Sequence, residues 1–309
     1  MTELTPEILP SVWSLIRRSL LESPGMPKKE LVERLTPRGL ISRQGSGETT
    51  DDSRHVRPSL NALLELDVIW EDERSGLQLR IGAESEAAFR RAVTHRLFRV
   101  PAEDGSDIWR MRSELQPEYH AEIALAWLHL QGVARPISSF QAAEGLLQEQ
   151  FGPARVLLRD TAPYNSLERL ACWCGAAAQV AAEGAQRGII PDPTDAVRAE
   201  LDAILQPGVD APAREVVDRI GEVLDWLPHG AVGRAVADRM SVVPDGSATT
   251  GSVPESLSLA LIQLHHERVL ELVAGDDSAD RVTLSPGGLA DAMDAEIAAV
   301  ARVRRMVTA

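Results

Sequence analysis

Residues 59–81 read SLNALLELDVIWEDERSGLQLRI, and this stretch decides the fold. Its leucines at positions 60, 63, 64 and 66 recur with the spacing of one helix face. The run from Val68 to Trp70 has β-strand character, DERSG predicts a turn, and Leu77, Leu79 and Ile81 alternate as a returning strand. The stretch therefore predicts a helix that runs directly into a β-hairpin.

Two further helices are predicted upstream of this stretch. Residues 11–23 (SVWSLIRRSLLES) carry apolar side chains at helical spacing before a Pro-Gly pair ends the pattern. Residues 27–35 (PKKELVERL) place Pro27 in a first turn, and Pro37 and Gly39 stop that helix. Three helices followed by a hairpin is the element order of a winged-helix domain, whose third helix enters the major groove of DNA.

The start of the third helix is left open between two positions. Ser53 or Asp52 fits an N-cap, whereas Pro58 fits a first turn and would start the helix later. The preceding residues 41–53 (ISRQGSGETTDDS) are polar and rich in Gly and Ser, which is typical of a loop.

The middle of the chain, from about residue 84 to 205, is predicted to be mostly helical. One helix has a distinct start signal, with Asp192 as N-cap, Pro193 at the first position and Asp195 in the first turn. The other helical segments are SEAAFRRAVTHRLFR (85–99), EYHAEIALAWLHLQ (118–131), SFQAAEGLLQEQF (139–151) and LERLACWCGAAAQVA (167–181).

The first pattern recurs near the C-terminus, with a shift of about 201–205 residues. Residues 214–227 and 229–240 predict two helices, and residues 252–273 predict a third helix that runs into a strand, with VTLS (282–285) as the return strand. The apolar residues that align are Leu60 and Leu63 with Leu261 and Leu264, Val68 and Ile69 with Val269 and Leu270, Leu77 and Leu79 with Val282 and Leu284, and Leu31 and Leu35 with Val236 and Met240. A final helix over 287–306 is expected to pack on the core or on a second subunit, which leaves a homodimer open.

The predicted fold class is mainly α with small β-wings, in three parts. An N-terminal winged helix is predicted over residues 1–83 and a helical middle domain over 84–210. A second winged-helix-like domain with the C-terminal helix is predicted over 211–309.

Composition limits the compartment and the chemistry. No apolar run approaches the ~18–20 residues of a membrane span, and the first ten residues lack a signal pattern, so we expect a cytoplasmic protein. Cys172 and Cys174 lie inside an apolar stretch and are expected to be buried thiols. The adjacent pair His265-His266 points in two directions on a helix and is expected to be structural rather than metal-binding.

No motif for nucleophilic, metal or nucleotide chemistry occurs in the sequence. GxSxG, GxxxxGK[ST], HExxH and the dinucleotide-binding glycine pattern are all missing from the chain. We therefore expect a protein that is not an enzyme and that needs no cofactor or metal.

Basic and amide side chains cluster where a winged helix meets DNA. The start of the second helix commonly meets phosphates, the first turns of the third helix reach base edges, and the wing enters a minor groove. The residues predicted to bind double-stranded DNA are Lys28, Lys29, Arg38, Arg43, Arg54, His55, Arg57, Asn61 and Arg74.

Charge distinguishes the two winged-helix units. The formal net charge is −14, but residues 1–60 hold nine Lys+Arg against eight Asp+Glu, whereas the remainder holds 23 against 38. Phosphates repel an acidic surface, so the second unit is expected to pack on proteins rather than on DNA.

Three segments carry a family resemblance: LPSVWSLIRRSLL (9–21), IIPDPTDAVRAEL (189–201) and SLSLALIQLHHERVLEL (256–272). In these the chain resembles DpdG-type proteins, which are accessory members of bacterial clusters that put 7-deazapurine bases into DNA and defend against phage. The resemblance implies a role in a DNA-modifying or DNA-restricting assembly and brings no catalytic residues with it.

The leading hypothesis is a non-enzymatic, DNA-associated accessory protein of a bacterial defence or DNA-modification system. Its first winged helix would contact DNA, and its acidic remainder would contact the other subunits. Two alternatives stay open at this point: a winged-helix transcription regulator, and a structural adaptor that uses both winged helices to bind proteins.

Overall fold

The computed structural model describes residues 8–36, 53–72, 74–80, 82–98, 120–152, 158, 160–181, 187–244, 252–274, 281–285, 295–297 and 299–302. Within these residues the chain forms eleven helices joined by short strands, so the predicted class, mainly α with small β elements, is confirmed. The helices are α1 (Pro10–Glu22), α2 (Lys28–Leu35), α3 (Ser53–Glu65), α4 (Glu86–Leu97), α5 (His120–Leu130), α6 (Phe140–Phe151), α7 (Thr161–Cys174), α8 (Thr194–Ile204), α9 (Ala213–Val223), α10 (Ala231–Ala237) and α11 (Glu255–His266).

The strands make four small sheets. They are β1 (Ile69–Asp72), β2 (Gly76–Leu79), β3 (Ala177–Ala181), β4 (Arg187–Pro191), β5 (Asp210–Pro212), β6 (Ser252–Val253), β7 (Leu270–Val273), β8 (Val282–Leu284), β9 (Ala295–Ile297) and β10 (Ala299–Arg302). The sheet orders are β1-β2, β3-β4, β5-β10-β7 and β6-β8-β9. Across the described part of the chain, no helix has the length and apolar character needed to cross a membrane.

The first unit, which we define as α1 to β2, has the predicted order of three helices and a hairpin. α1 packs on both α2 and α3. The indole of Trp13 lies fully buried between them and donates a 2.9 Å hydrogen bond to the carbonyl of Ser59 in α3. Beyond α3, β1 and β2 pair as an antiparallel hairpin, with Ile69 opposite Leu79. An isolated bridge adds Met26, which precedes α2, to the free side of β2 at Leu77.

The corner between the third helix and the following strand occurs twice. Asp67 and Arg268 lie 201 positions apart, and each has a left-handed backbone, with φ of 52° and 57°. The next residue of each corner donates to the helix: Val68 N–H to the Leu63 carbonyl at 3.0 Å, and Val269 N–H to the Leu264 carbonyl at 2.9 Å. The alignment of the two third helices from the sequence is therefore confirmed at the backbone level.

The sheets extend this repeat in a way that the sequence did not indicate. β10 lies between β5 and β7, just as β2 lies between Met26 and β1. Val300 is the residue of β10 that faces Ala211 on one side and Leu272 on the other, in the position that Leu77 holds between Met26 and Glu71.

The helices around the two sheets also correspond. Pro27 and Pro212 each follow the matched edge residue and each cap the next helix, α2 and α9. α8 packs on α9 and α11 as α1 packs on α2 and α3. We call the elements from α8 to β10 the second unit; α10, β6, β8 and β9 are additions that the first unit does not have.

Two predictions about the C-terminal region were wrong. The predicted final helix is replaced by β9 and β10 over the described residues 295–297 and 299–302, and VTLS forms β8, which pairs with β6 and β9 rather than with β7. The alanine-rich segment around Val300 has helical propensity. It forms a strand because β10 pairs with both β5 and β7 and buries Val300 fully between them. Tertiary packing overrides local preference in such a case.

The correspondence of the first two helices also differs from the prediction. Leu31 was aligned with Val236 of α10, whereas the matched strands and prolines place it opposite Val216 of α9. Both Leu31 and Val216 are fully buried. The shift arises because α10 is inserted between the second and third helices of the second unit.

The middle of the chain is helical, as predicted, but it also contains a hairpin that the sequence reading missed. α7 ends at Cys174 because Gly175 adopts a left-handed conformation (φ 73°) and caps the helix, and AAQVA then forms β3 instead of continuing the helix. β3 pairs with β4 over five residues. α8 starts at Thr194, whose N–H donates to the Asp192 carboxylate at 3.0 Å, so this start signal lies within one residue of its predicted place.

The first unit is joined to the middle through apolar and charged contacts. The Trp13 and Trp173 rings meet edge-on with centroids 5.4 Å apart. Arg17 of α1 pairs with Glu86 of α4 at 2.7 Å, and its side chain is only 13% exposed. A single hydrophobic core includes residues of both units and of the middle. The domain limits at 83/84 and 210/211 stay predictions.

A second charged contact joins α4 to α8. The carboxylate of Glu200, 3% exposed, accepts hydrogen bonds from Arg91 at 2.8 and 2.7 Å and contacts His95 Nε2 at 2.8 Å. Burial acts to raise the pKa of Glu200, but the hydrogen bonds from His95 and Arg91 together outweigh it and lower this pKa below its ordinary value. The buried carboxylate is therefore held charged.

The hairpin and the α1–α2 turn approach closely at two glycines, which leads to a stability prediction. Gly76 has φ +69°, and a Cβ added there would lie 2.2 Å from the Gly25 carbonyl oxygen. Gly82 has φ +91°, but nothing lies within 4 Å of its Cβ position. We expect Gly76→Ala to lower the free energy of unfolding by more than ~2 kcal/mol and the control Gly82→Ala by ~1 kcal/mol, because only the first adds a clash to the left-handed strain. Urea unfolding measures both; equal losses would contradict the close approach.

Candidate nucleic-acid interface

The two lysines of the first turn of α2 have different surroundings. Leu31 and Val32 are buried, and Lys28 lies one turn before them on the same side of the helix, whereas Lys29 is exposed. The side chain of Lys29 is 88% exposed, and its ammonium lies 4.0 Å from Glu33, a distance at which an exposed pair contributes little. Lys28 is half-buried and turns toward α3.

α3 has one buried and one exposed face. Val56, Ser59, Leu60, Ala62 and Leu63 are buried. The buried hydroxyl of Ser59 accepts a hydrogen bond from Leu9 N–H at 3.2 Å, which, with the Trp13 bond, fixes the rotation of the helix. The helix begins at Ser53 and includes Pro58 in its interior, which settles its start in favour of the earlier position.

The exposed face of α3 carries Arg57, Asn61 and Glu65, each one turn after the last. Asn61 lies against the start of α2, where its Oδ1 accepts a hydrogen bond from Lys28 Nζ at 2.8 Å. We call Lys28, Arg57 and Asn61 the α2–α3 patch. The sequence pattern predicted each of these residues separately as DNA-binding, but it did not predict the hydrogen bond between Lys28 and Asn61.

The hairpin turn beside the patch is held by a carboxylate. Asp72 Oδ1 accepts hydrogen bonds from the backbone N–H groups of Arg74 and Ser75, both at 2.8 Å. These bonds, that of Ser75 first, lower the pKa of Asp72 below its ordinary value. The Arg74 side chain is thereby carried at the tip of an ordered turn and is exposed, as the prediction requires of a wing residue.

The other predicted DNA-binding residues differ in exposure and in whether the structure describes them. His55 is half-buried in the first turn of α3. Arg54 lies in the same turn, but its side chain is outside the described part, and Arg38 and Arg43 lie wholly outside the described residues. The structure therefore gathers Lys28, Arg57 and Asn61 on one surface, with Lys29 beside them and Arg74 on the adjoining hairpin.

Two of the three positions that match the α2–α3 patch are fully buried in the second unit, and the third, Ile262, is half-buried. With the shift of 201 residues, Arg57 corresponds to Ser258, which is fully buried and donates to the Val253 carbonyl at 3.1 Å. For the second helix the match of Pro27 with Pro212 gives a shift of 185 residues, by which Lys28 corresponds to Ala213, also fully buried. The first turn of α11 bonds instead to the middle: Glu255 accepts from Val133 N–H at 3.1 Å.

Ser256 makes the second of these contacts, to a histidine in the middle of the chain. Its hydroxyl lies 3.1 Å from Nδ1 of His129, and the His129 Nε2 atom lies 2.9 Å from the Ala176 carbonyl. Since a carbonyl only accepts, Nε2 carries the proton and Ser256 donates to Nδ1. The ring also packs on Trp226 at 4.7 Å between centroids. Burial lowers the pKa of His129 to about 3, although the Ala176 bond acts to raise it.

The two cysteines and His265 lie in surroundings that give them no reactive or metal-binding role. Burial raises the pKa of the Cys172 thiol to about 11 and that of Cys174 to about 12, so neither thiol is activated. His265 Nδ1 accepts a hydrogen bond from Leu272 N–H at 3.2 Å. In the described ranges, no three His, Cys, Asp or Glu side chains are grouped to hold a metal ion.

Comparison with known proteins gives one match. The sequence model of a protein family described as DpdG-like matches residues 3–278. No curated protein and no solved structure matches the chain.

The buried His129 leads to a prediction about acid stability. Its folded pKa, about 3, lies below the ordinary value of 6.5, so between these values the unfolded chain binds a proton that the folded chain does not. The contribution of His129 to stability is therefore independent of pH above 6.5, and it decreases below pH 6.5 by about 1.4 kcal/mol per pH unit.

We expect the variant His129→Gln to be less stable than the wild type at neutral pH but to lose less stability on acidification to pH ~5. Both proteins keep His229, whose pKa burial lowers to about 4, so the difference between them reports His129 alone. Urea unfolding at a series of pH values measures the two slopes. Parallel slopes would refute the buried neutral state of His129.

Proposed function

Because the chain belongs to the DpdG-like family, we propose that it is an accessory protein of a bacterial DNA-modification or phage-defence system that acts in the cytoplasm. In this proposal it works by binding and not by catalysis. It contacts duplex DNA through the first unit and other subunits of the system through the acidic remainder.

The proposal treats both units as winged helices. The support is the order of helix, edge segment, helix, helix and two antiparallel strands, in which the edge segment of the first unit is the isolated bridge at Met26. The second unit repeats that order and its strand register from α8 to β10. In the winged-helix mode of binding, the third helix enters the major groove and the hairpin lies along the neighbouring backbone.

The α2–α3 patch is the observation that carries DNA contact by the first unit. Arg57 and Asn61 are exposed on the outer face of the third helix, and Lys28 is hydrogen-bonded to Asn61. Side chains of this kind, on this helix, supply both phosphate and base-edge contacts in winged-helix complexes. In this proposal Arg74, which is exposed on the hairpin, contacts the next groove.

The second unit has a different role in the proposal. The helix that would enter a groove, α11, already has its first turn hydrogen-bonded to the middle through Glu255 and Ser256. Its partners are therefore proteins, and the excess of acidic residues after residue 60, 38 against 23 basic, favours basic partner surfaces.

One observation favours the adaptor as a second candidate function. α11 shows that a third helix of this fold serves as a packing surface within this same chain. The first unit would then bind a protein through the α2–α3 patch, and duplex DNA would not compete with that protein for the patch.

A salt series with the full chain tests the DNA contact. We expect the double variant Lys28→Ala/Arg57→Ala to bind duplex DNA more weakly than the wild type, and the slope of log K against log salt to fall by up to ~2, since each lost phosphate contact removes ~0.9. Fluorescence anisotropy with a labelled duplex measures both quantities.

Arg214→Ala is the matched control, because Arg214 is exposed in the second unit and follows the helix cap as Lys29 does in the first. It removes one positive charge without touching the α2–α3 patch, and we expect the affinity to stay near that of the wild type. The DNA contact is refuted if the wild type shows no binding at low salt, or if Arg214→Ala weakens binding as much as the double variant does.

A further inference from the structure

The bond between Lys28 and Asn61 fixes the orientation of the Asn61 amide. An ammonium group donates hydrogen bonds and cannot accept them, so the amide atom 2.8 Å from Lys28 Nζ must be the oxygen. The Nδ2 group, with its two N–H donors, then points away from Lys28. The amide is attached to the exposed face of α3, so these donors lie at the surface of the helix.

The pair therefore presents donors and positive charge. Lys28 keeps two further N–H donors beyond the one given to Asn61, and Asn61 offers its Nδ2 donors. An asparagine that reads adenine needs its oxygen to accept from the adenine N6 amino group while Nδ2 donates to N7. In this structure an ammonium lies at that oxygen and would meet the amino group as one donor facing another.

We propose that the Lys28–Asn61 pair selects guanine and disfavours adenine in the major groove of bound DNA. Guanine presents two acceptors there, N7 and O6, which match the donors of the pair. The proposal rests on the proposed function, in which α3 enters the groove, and it adds the base that Asn61 reads.

The neighbours of the pair agree with this assignment. Arg57 lies one turn before Asn61 on the same face, and a guanidinium also pairs with N7 and O6 of guanine. Glu65 lies one turn after Asn61, and its carboxylate is an acceptor, so the hydrogen-bond donors on this face are those of Arg57 and Asn61. Lys29, in contrast, is 88% exposed and its nearest carboxylate is Glu33, so it adds charge but does not orient Asn61.

The test selects duplexes from a pool with a randomised central segment, using the full chain, and sequences the bound fraction. We expect guanine to be favoured over adenine at one position by at least about fivefold. Methylation of the selected duplex by dimethyl sulfate, which modifies guanine N7 in the major groove, should deplete duplexes methylated at that guanine from the bound fraction.

Two variants with the same loss of charge separate base reading from phosphate binding. Lys28→Met frees the Asn61 oxygen, and we expect the guanine preference at that one position to fall toward equality with adenine. Lys29→Met should weaken binding to all sequences alike and leave the preference in place. Lys28→Arg keeps a donor-only cation beside Asn61 and should retain the preference.

The outcomes distinguish this inference from the function on which it rests. Selection of adenine at the position would overturn it, as would Lys28→Met and Lys29→Met lowering affinity alike with an unchanged preference; in both cases DNA binding itself would stand. Failure of the wild type to retain any duplex at low salt would overturn the inference and the proposed function together.

Discussion

The α5 helix has no side that faces solvent, and the rest of the structure depends on this. Every residue from 121 to 130 is buried, so the helix is stable only when other elements surround it. α7, α10 and β4 pack on it, and His129 ties it to Ser256 at the start of α11. A helix that is buried on all faces thus requires the second unit to be assembled around the middle of the chain.

As a result, the face of the second unit that matches the α2–α3 patch is packed inside the protein at Ala213 and Ser258. The backbone of the two units matches in the helix–strand corner, in the strand register and in the proline that starts the second helix. The side chains at matched places differ: Lys28 is half-buried and Arg57 is exposed, whereas Ala213 and Ser258 are small and fully buried. The same backbone arrangement therefore makes an internal contact in the second unit and carries a surface patch in the first.

The first unit is also joined firmly to the middle. The contact of Trp13 with Trp173 is apolar, and the Arg17 side chain that pairs with Glu86 is 13% exposed. The buried apolar contact contributes more to the joint than the partly exposed ion pair does. Under the proposed function, a duplex bound by the α2–α3 patch would therefore have a fixed orientation relative to the middle and to the acidic second unit.

By itself, the sequence determined the elements whose signals are local. Leucine spacing gave α3, alternation and a turn gave the β1–β2 hairpin, and the doubled leucine frame gave the relation between α3 and α11. The prediction that Lys28, Arg57 and Asn61 bind DNA also came from the sequence, through the positions that a winged helix would give them, and it stays a prediction. Only the tertiary structure decided the rest. β10 is a strand because β5 and β7 leave a gap that Val300 fills, which no local pattern in an alanine-rich segment reveals. Likewise, the contact of Lys28 with Asn61 joins residues 33 positions apart, and the hydrogen bond between His129 of α5 and Ser256 of α11 joins residues 127 positions apart. Such contacts depend on how the elements are packed, and packing is a property of the whole chain.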